Sequence, residues 1–330
     1  MIRNNNFKKF FLTTIIFFIS TSISISYILH NKTYSSEKYI KWVDFNISYP
    51  ALKKSMELDI NSYGKYNWIE ILSCLAVKYG GNFKKYNDND LNNIIKKIDS
   101  GLTPRSIANA NKIYDYYFEA YSAVLNEFIG YFKIKTDDWH NYYGLKVFSP
   151  IAKGYAYHDF DDFGNSRSYG YKRKHLGHDL MALTGTPIIA VESGIIEELG
   201  WNKYGGWRIG IRSFDKKRYY YYAHMRKNYP YVKTLVRGQK ISAGDVIGYV
   251  GRTGYSSTEN VNNIEQSHLH FGLQLIFDES QKDGTNQIWI DLWNIVKLLN
   301  KNRAAVERID NSKEFKRSIE FEDIPNFIEE

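Results

Sequence analysis

The sequence predicts an α+β protein in which an N-terminal apolar segment leads into a helical region and then an antiparallel β-rich domain. Three observations carry that prediction. An uncharged run of about 20 residues follows a basic N-terminus. Apolar residues then recur at helical spacing as far as Phe128, and from about residue 141 short β-branched and aromatic runs alternate with glycine turns. The boundaries drawn are 1–30 for the segment, 31–140 for the helical region, 141–300 for the β-rich domain and 301–330 for a charge-mixed tail expected to be poorly ordered.

In the first segment Arg3, Lys8 and Lys9 precede Phe10–Leu29. A run of that length spans a hydrocarbon core as a helix, and the preceding cations keep its start on the cytoplasmic side. The reading taken is an uncleaved membrane anchor through residues 10–29, with a signal peptide cleaved among Ser20–Ser26 as the alternative. Either one exports the remainder to the extracytoplasmic face of the membrane or beyond it. No cysteine lies near the run, so a lipid-modified cysteine is excluded.

Three helices are expected next. Ile71, Leu72, Leu75, Ala76 and Tyr79 form one stripe, stopped at Gly80-Gly81, and Leu91, Ile94, Ile95 and Ile98 form a second. Thr103 and Pro104 read as the N-cap and first residue of a long third helix carrying Ile107, Ala110, Tyr114, Tyr117, Tyr121, Val124 and Phe128. Such aromatic stripes fill cores. Glu70 and Glu119 stand alone, whereas a glycosidase needs two acids across one bond. The helical region is therefore read as a spacer or an interaction module with a protein partner.

The β-rich domain has strands expected at 186–191, 194–199, 207–213, 218–224, 246–250 and 268–276, closed by a helix over 291–300. Composition narrows the function. The single cysteine, Cys74, excludes an intramolecular disulfide and a multi-thiolate metal site. The net charge is +8, of which +5 remains once Arg3, Lys8 and Lys9 are set aside. That excess suits an anionic wall polymer. Nucleic acid is not expected, because no basic helix or aromatic RNA-binding motif accompanies the charge.

Five residues carry the chemistry: His175, Asp179, His224, His268 and His270. On a strand, His268 and His270 point to one face while Leu269 points into the packing. In His175-Leu176-Gly177-His178-Asp179 a straight strand separates the ends by about 13 Å, and Gly177 offers the bend that lets them converge. His175, Asp179 and one later histidine make two imidazoles and a carboxylate, leaving a fourth position for water on a hydrolytic zinc. His224 and the other member of the 268/270 pair remain for proton transfer or oxyanion stabilisation. His178 should point to the opposite face, and His30, His140 and His158 lack a partner at ligand spacing.

The ordered motifs His175-x-Gly177-x-Asp179, Gly185-Thr186-Pro187, Tyr222-x-His224, Gly244-Asp245-x-Ile247-Gly248-x-x-Gly251-x-Thr253-Gly254 and His268-Leu269-His270-Phe271 resemble the lysostaphin-like zinc endopeptidases of peptidoglycan, LytM among them. The resemblance covers about a third of the chain. It implies the duplicated-hybrid-motif type of β fold, one zinc ion per chain on His175, Asp179 and His270, catalytic His224 and His268, and peptidoglycan peptides as substrate. Three positions depart from the family pattern. The stretch between Gly254 and His268 is longer than usual and is expected to form a flexible flap, Lys203-Tyr204-Gly205-Gly206 replaces a Gly-Tyr-Gly-Asn element, and Gly272 replaces an acid. The alternative function is a catalytically silent wall-binding scaffold or activator, which a lost ligand would favour; all five positions are kept.

Overall fold

The computed structural model describes residues 39–169 and 171–326. The expected anchor at 10–29 and His30 lie outside the described residues, among which no helix is long and apolar enough to cross a membrane.

Among the described residues five α-helices come first: α1 (Tyr49–Asn61), α2 (Trp68–Tyr79), α3 (Asp88–Asp99), α4 (Pro104–Ala108) and α5 (Asn111–Leu125). The Asn67 side chain accepts from the N–H groups of Ile69 and Glu70 to start α2, and Gly80, at φ 59°, ends it in the left-handed conformation. Thr103 caps α4 through the Ser106 N–H. The expected long third helix is instead two helices, because Asn109 takes φ 51° and ends the first turns. Asparagine tolerates that region, so a stripe of apolar residues did not reveal the break. Helix α1 was not anticipated. Its buried Asp59 accepts from the Trp68 N–H at 2.9 Å and from the Tyr143 hydroxyl at 2.7 Å, which fixes α1 against two later elements.

The strands follow in order: β1 (Ile129–Lys135), β2 (Trp139–Leu145), β3 (Tyr157–Asp159), β4 (Ser166–Tyr169), β5 (Tyr171–Lys174), β6 (His178–Ala182) and β7 (Pro187–Ile189). Next are β8 (Gly194–Asn202), β9 (Gly206–Ser213), β10 (Arg218–Ala223), β11 (Lys240–Ile241), β12 (Val246–Tyr249), β13 (His268–Leu275) and β14 (Ile288–Trp289). Helix α6 (Trp293–Leu299) precedes β15 (Val306–Arg308), β16 (Phe315–Arg317) and β17 (Glu320–Asp323). The central sheet is antiparallel with order β11-β8-β9-β10-β13-β6-β3, and β14 adds to the far end of β13. One inner face is packed by Leu180, Ile196, Ile209, Ile211, Tyr220, Tyr222, Leu269, Phe271 and Leu273, all essentially inaccessible.

From Lys41 onward the chain is a single compact unit, and two buried cations explain its cohesion. Arg218, fully buried, pairs with Glu192 and Asp215 and donates to the Ala123 carbonyl in α5 at 2.8 Å, binding helices to sheet. Lys146, also buried, reaches Glu127 at 2.7 Å, Asp323 at 2.9 Å and the Ile324 carbonyl at 2.7 Å. That second contact corrects the expectation for 301–330. Through residue 326 the tail is a β15–β16 hairpin followed by β17, which pairs with β1. Its ordering comes from partners more than 170 positions away, invisible to local composition. The boundary drawn between 140 and 141 falls inside β2.

Candidate metal centre and groove

Strand register assembles the site. β13 lies between β10 and β6, so His270 faces Asp179 on one side and Ala223 on the other, with His224 next along the chain. His268 is two residues back on the same face, opposite Met181. His175 arrives from the turn before β6, held by its N–H to the Asn165 carbonyl at 2.8 Å. The bend expected at Gly177 is a matter of close approach: a Cβ there would lie 2.6 Å from His270 Cε1 and Nε2 and 2.8 Å from the Phe271 carbonyl oxygen.

His175 Nε2 and His270 Nδ1 each lie 3.0 Å from Asp179 Oδ1 and 2.9 Å from one another. Three donors converging this tightly match the ligand–ligand spacing of about 3.3 Å around a tetrahedral ion with bonds near 2.0–2.1 Å. The set fits a divalent metal ion. A further pair of side chains orients it. Asp162 receives His175 Nδ1–H through its carbonyl oxygen at 3.2 Å and its carboxylate at 3.1 Å, which directs Nε2 inward. Arg167, from β4, bonds to Asp162 and to Asp179 Oδ2 at 3.2 Å, leaving Oδ1 to the two imidazoles. Neither Asp162 nor Arg167 was singled out from sequence; both sit in a loop and a hairpin with no periodicity to mark them.

The electrostatics follow from these contacts. Burial lowers the pKa of His175, but the Asp162 and Asp179 carboxylates outweigh it and hold the imidazolium to about 9. Burial raises that of Asp179, yet hydrogen bonds from His175 and His270 keep it far below the usual carboxylate range. His270 is pushed down, first by burial.

His224 and His268 stand beside these ligands, their rings 4.8 Å apart and His268 Nε2 3.9 Å from Asp179 Oδ1. His224 takes φ 62°, a strained conformation for a residue with a side chain, fixed by its N–H to the Gly205 carbonyl at 2.7 Å. Its Nδ1 lies 2.9 Å from the Thr253 carbonyl, and His268 Nδ1 lies 2.9 Å from that of Gln266. A carbonyl only accepts, so both rings carry hydrogen on Nδ1, which in a neutral ring leaves the lone pair on Nε2. Burial, then the neighbouring His268 and His270, push the pKa of His224 well down. Gly254, at φ 123°, admits this arrangement, because a Cβ there would sit 2.5 Å from the Tyr204 carbonyl oxygen and 3.0 Å from His224 Nδ1.

His175, Asp179, His224 and His270 line the floor of a groove of about 380 Å³ whose walls include Tyr204, Tyr221, Tyr255 and Trp289. The stretch 254–268 is stapled rather than a loose flap: Ser256 N–H bonds to the Lys203 carbonyl, and Asn260 accepts from the Trp207 indole and the Asn228 N–H at 2.9 Å each. Gly272 makes room for the wall, since a Cβ would meet the Trp289 ring at 2.7 Å. His178 points away, buried against Asp159 and Trp293. His140 and His158 are exposed on β2 and β3.

Residues 173–283 match the model of Peptidase family M23. The L-Ala–D-Glu endopeptidase of Bacillus subtilis is 37% identical over 124 residues, which are 38% of this chain and 36% of that protein. Lysostaphin of Staphylococcus staphylolyticus is 38% identical over 98 residues, 29% of this chain and 18% of that protein. The alignment therefore spans about a third or less of these relatives. Among solved structures, a glycyl-glycine endopeptidase lytM from Ruminococcus gnavus superposes with TM-score 0.52 at 23% identity, covering 81% of this chain and 92% of that one. That likeness shows a shared fold reaching beyond the matched domain.

Proposed function

We propose that this chain, whose residues 173–283 match the model of Peptidase family M23, is a zinc endopeptidase of peptidoglycan peptides. The observation that carries the reading is the convergence of His175, Asp179 and His270 on one point beside two imidazoles whose Nδ1–H groups are tied to backbone carbonyls. The relatives act on L-Ala–D-Glu and, in Staphylococcus capitis, on glycyl-glycine bonds, so the coarse substrate is wall peptide.

His175, Asp179 and His270 would hold one zinc. When bound, zinc lowers the pKa of a water ligand towards about 7 and polarises a carbonyl. His224, held neutral by burial, offers Nε2 to take a proton. His268 Nε2, on the same face, is placed to share that task or to donate to developing negative charge once protonated. Arg167 and Asp162 keep the ligands oriented. The groove walls bind the peptide in extended form. The basic start and apolar run at 10–29 support export of this chemistry across the cell membrane, as an anchor or as an export signal.

Purified full-length protein should carry about one zinc per chain and release defined peptides from purified wall, read by product mass analysis. Asp179→Ala removes the only anionic ligand, so it should lose most of the metal and the activity together. Full zinc occupancy in that variant would overturn the ligand set. Intact binding to wall without hydrolysis by the zinc-loaded wild type would favour the silent scaffold instead.

A further inference from the structure

We propose that Arg173 is a specificity-determining residue that recognises a carboxylate on the substrate beside the scissile bond, so that the groove takes acidic stem peptides in preference to neutral glycine bridges. This rests on the peptidase reading and names the substrate class within it.

The Arg173 guanidinium lies between two aromatic rings, 5.2 Å from the centroid of Tyr204 and 5.1 Å from that of Tyr255. Its Nη2 donates to the Tyr255 hydroxyl at 2.7 Å. Those contacts fix the plane of a group that is otherwise long and mobile. The fixed fork still has a donor to spare: buried Nη1 has no hydrogen-bond partner among the described residues. Three of the four other groove cations are matched by acids, the exposed Lys174 being the exception among the described residues. Arg167 meets Asp162 and Asp179, Arg208 meets Glu198, and Lys282 meets Glu197. Among the described residues Arg173 has no such acid, so its charge is not cancelled locally. A planar guanidinium with unused N–H groups suits a carboxylate, which accepts two parallel hydrogen bonds and neutralises the charge.

Position ties this group to the reaction. The Tyr255 ring is 5.7 Å from that of His224, and Tyr204 immediately precedes Gly205, whose carbonyl holds the His224 backbone. Arg173 thus stands one aromatic ring from the imidazole proposed to move a proton. A glycine chain offers no side-chain or branch carboxylate there, whereas a γ-linked glutamyl residue carries a free α-carboxylate.

The test compares three synthetic peptides: Ala–γ-D-Glu–Lys with its glutamyl α-carboxylate free, the same peptide with that group as carboxamide, and pentaglycine. Zinc-loaded wild type should prefer the acid over the amide by about 10- to 100-fold in kcat/KM. Arg173→Met should erase that preference through KM for the acid alone, with zinc content and amide turnover kept. Arg173→Lys, which retains charge but not the fork, should keep part of it. An acid-to-amide ratio near one in wild type, or a ratio unchanged in Arg173→Met, overturns the proposal. Calorimetric binding of the acid and amide peptides reads the same preference without hydrolysis. Failure to cleave any of the three would therefore strike the peptidase reading, while the binding ratio still decides the carboxylate site.

Discussion

Gly177→Ala tests whether close packing behind His270 sets the metal centre. The added methyl would lie 2.6 Å from two ring atoms of His270 and 2.8 Å from the Phe271 carbonyl oxygen, where ordinary contact begins at 3.4 Å. Relief requires a movement of about 0.8 Å at the ring, well beyond the roughly 0.2 Å that a zinc–ligand distance tolerates. The strand cannot yield cheaply, because Phe271 is buried and paired to both β10 and β6. Zinc affinity should fall at least as far as when an orienting partner is removed, about 10- to 100-fold, and hydrolysis should fall with it. Overpacking of this kind costs about 1–3 kcal/mol, which lowers the melting temperature of a unit this size by several degrees. The assay is chelator competition for zinc, with thermal unfolding and peptide hydrolysis on the same sample. Gly144→Ala is the control, since its nearest neighbour would be Phe132 at 3.8 Å. Wild-type zinc affinity in Gly177→Ala would refute the steric account.

Three further outcomes are expected. His224→Ala and His268→Ala should retain zinc while losing about 10²–10⁴ in rate each, and the double variant should lose much less than the product. Zinc loss from His268→Ala with retention in His270→Ala would reverse the two roles. In metal-free protein the His175 proton is retained up to about pH 9, and zinc must displace it. Zinc uptake at pH 7.5 should therefore expel close to one proton from His175, on top of that lost by a zinc-bound water whose pKa falls towards about 7, and the His175 share fades as pH rises through 9; calorimetry in buffers of different ionisation enthalpy measures it. By the same linkage, this raised pKa stabilises the metal-free fold below the ordinary value of 6.5 and ceases to do so as pH climbs through 9. Arg218→Met leaves the buried Glu192 without its cation and should cost about 3–5 kcal/mol in denaturant unfolding; a loss under 1 kcal/mol would show that Glu192 is neutral or rehydrated.

What the sequence determined by itself was local. A period of two puts His268 and His270 on one face of a strand, and Thr103 and Gly80 begin and end helices through their own side chain and backbone. A bend at Gly177 was legible too, as a way for residues 175 and 179 to approach one point where the β-branched run that follows argues against a helix. The tertiary structure decided everything that depends on register and distant partners. Pairing of β13 with β6 sets His270, not His268, opposite Asp179. The hairpin β4–β5 brings Arg167 to the same carboxylate, and Lys146 orders a tail whose composition read as loose. These contacts join side chains on separate elements, so they are fixed by the packing of whole elements. No window along the chain encodes that packing, because the residues that meet are neighbours only after the sheet has closed.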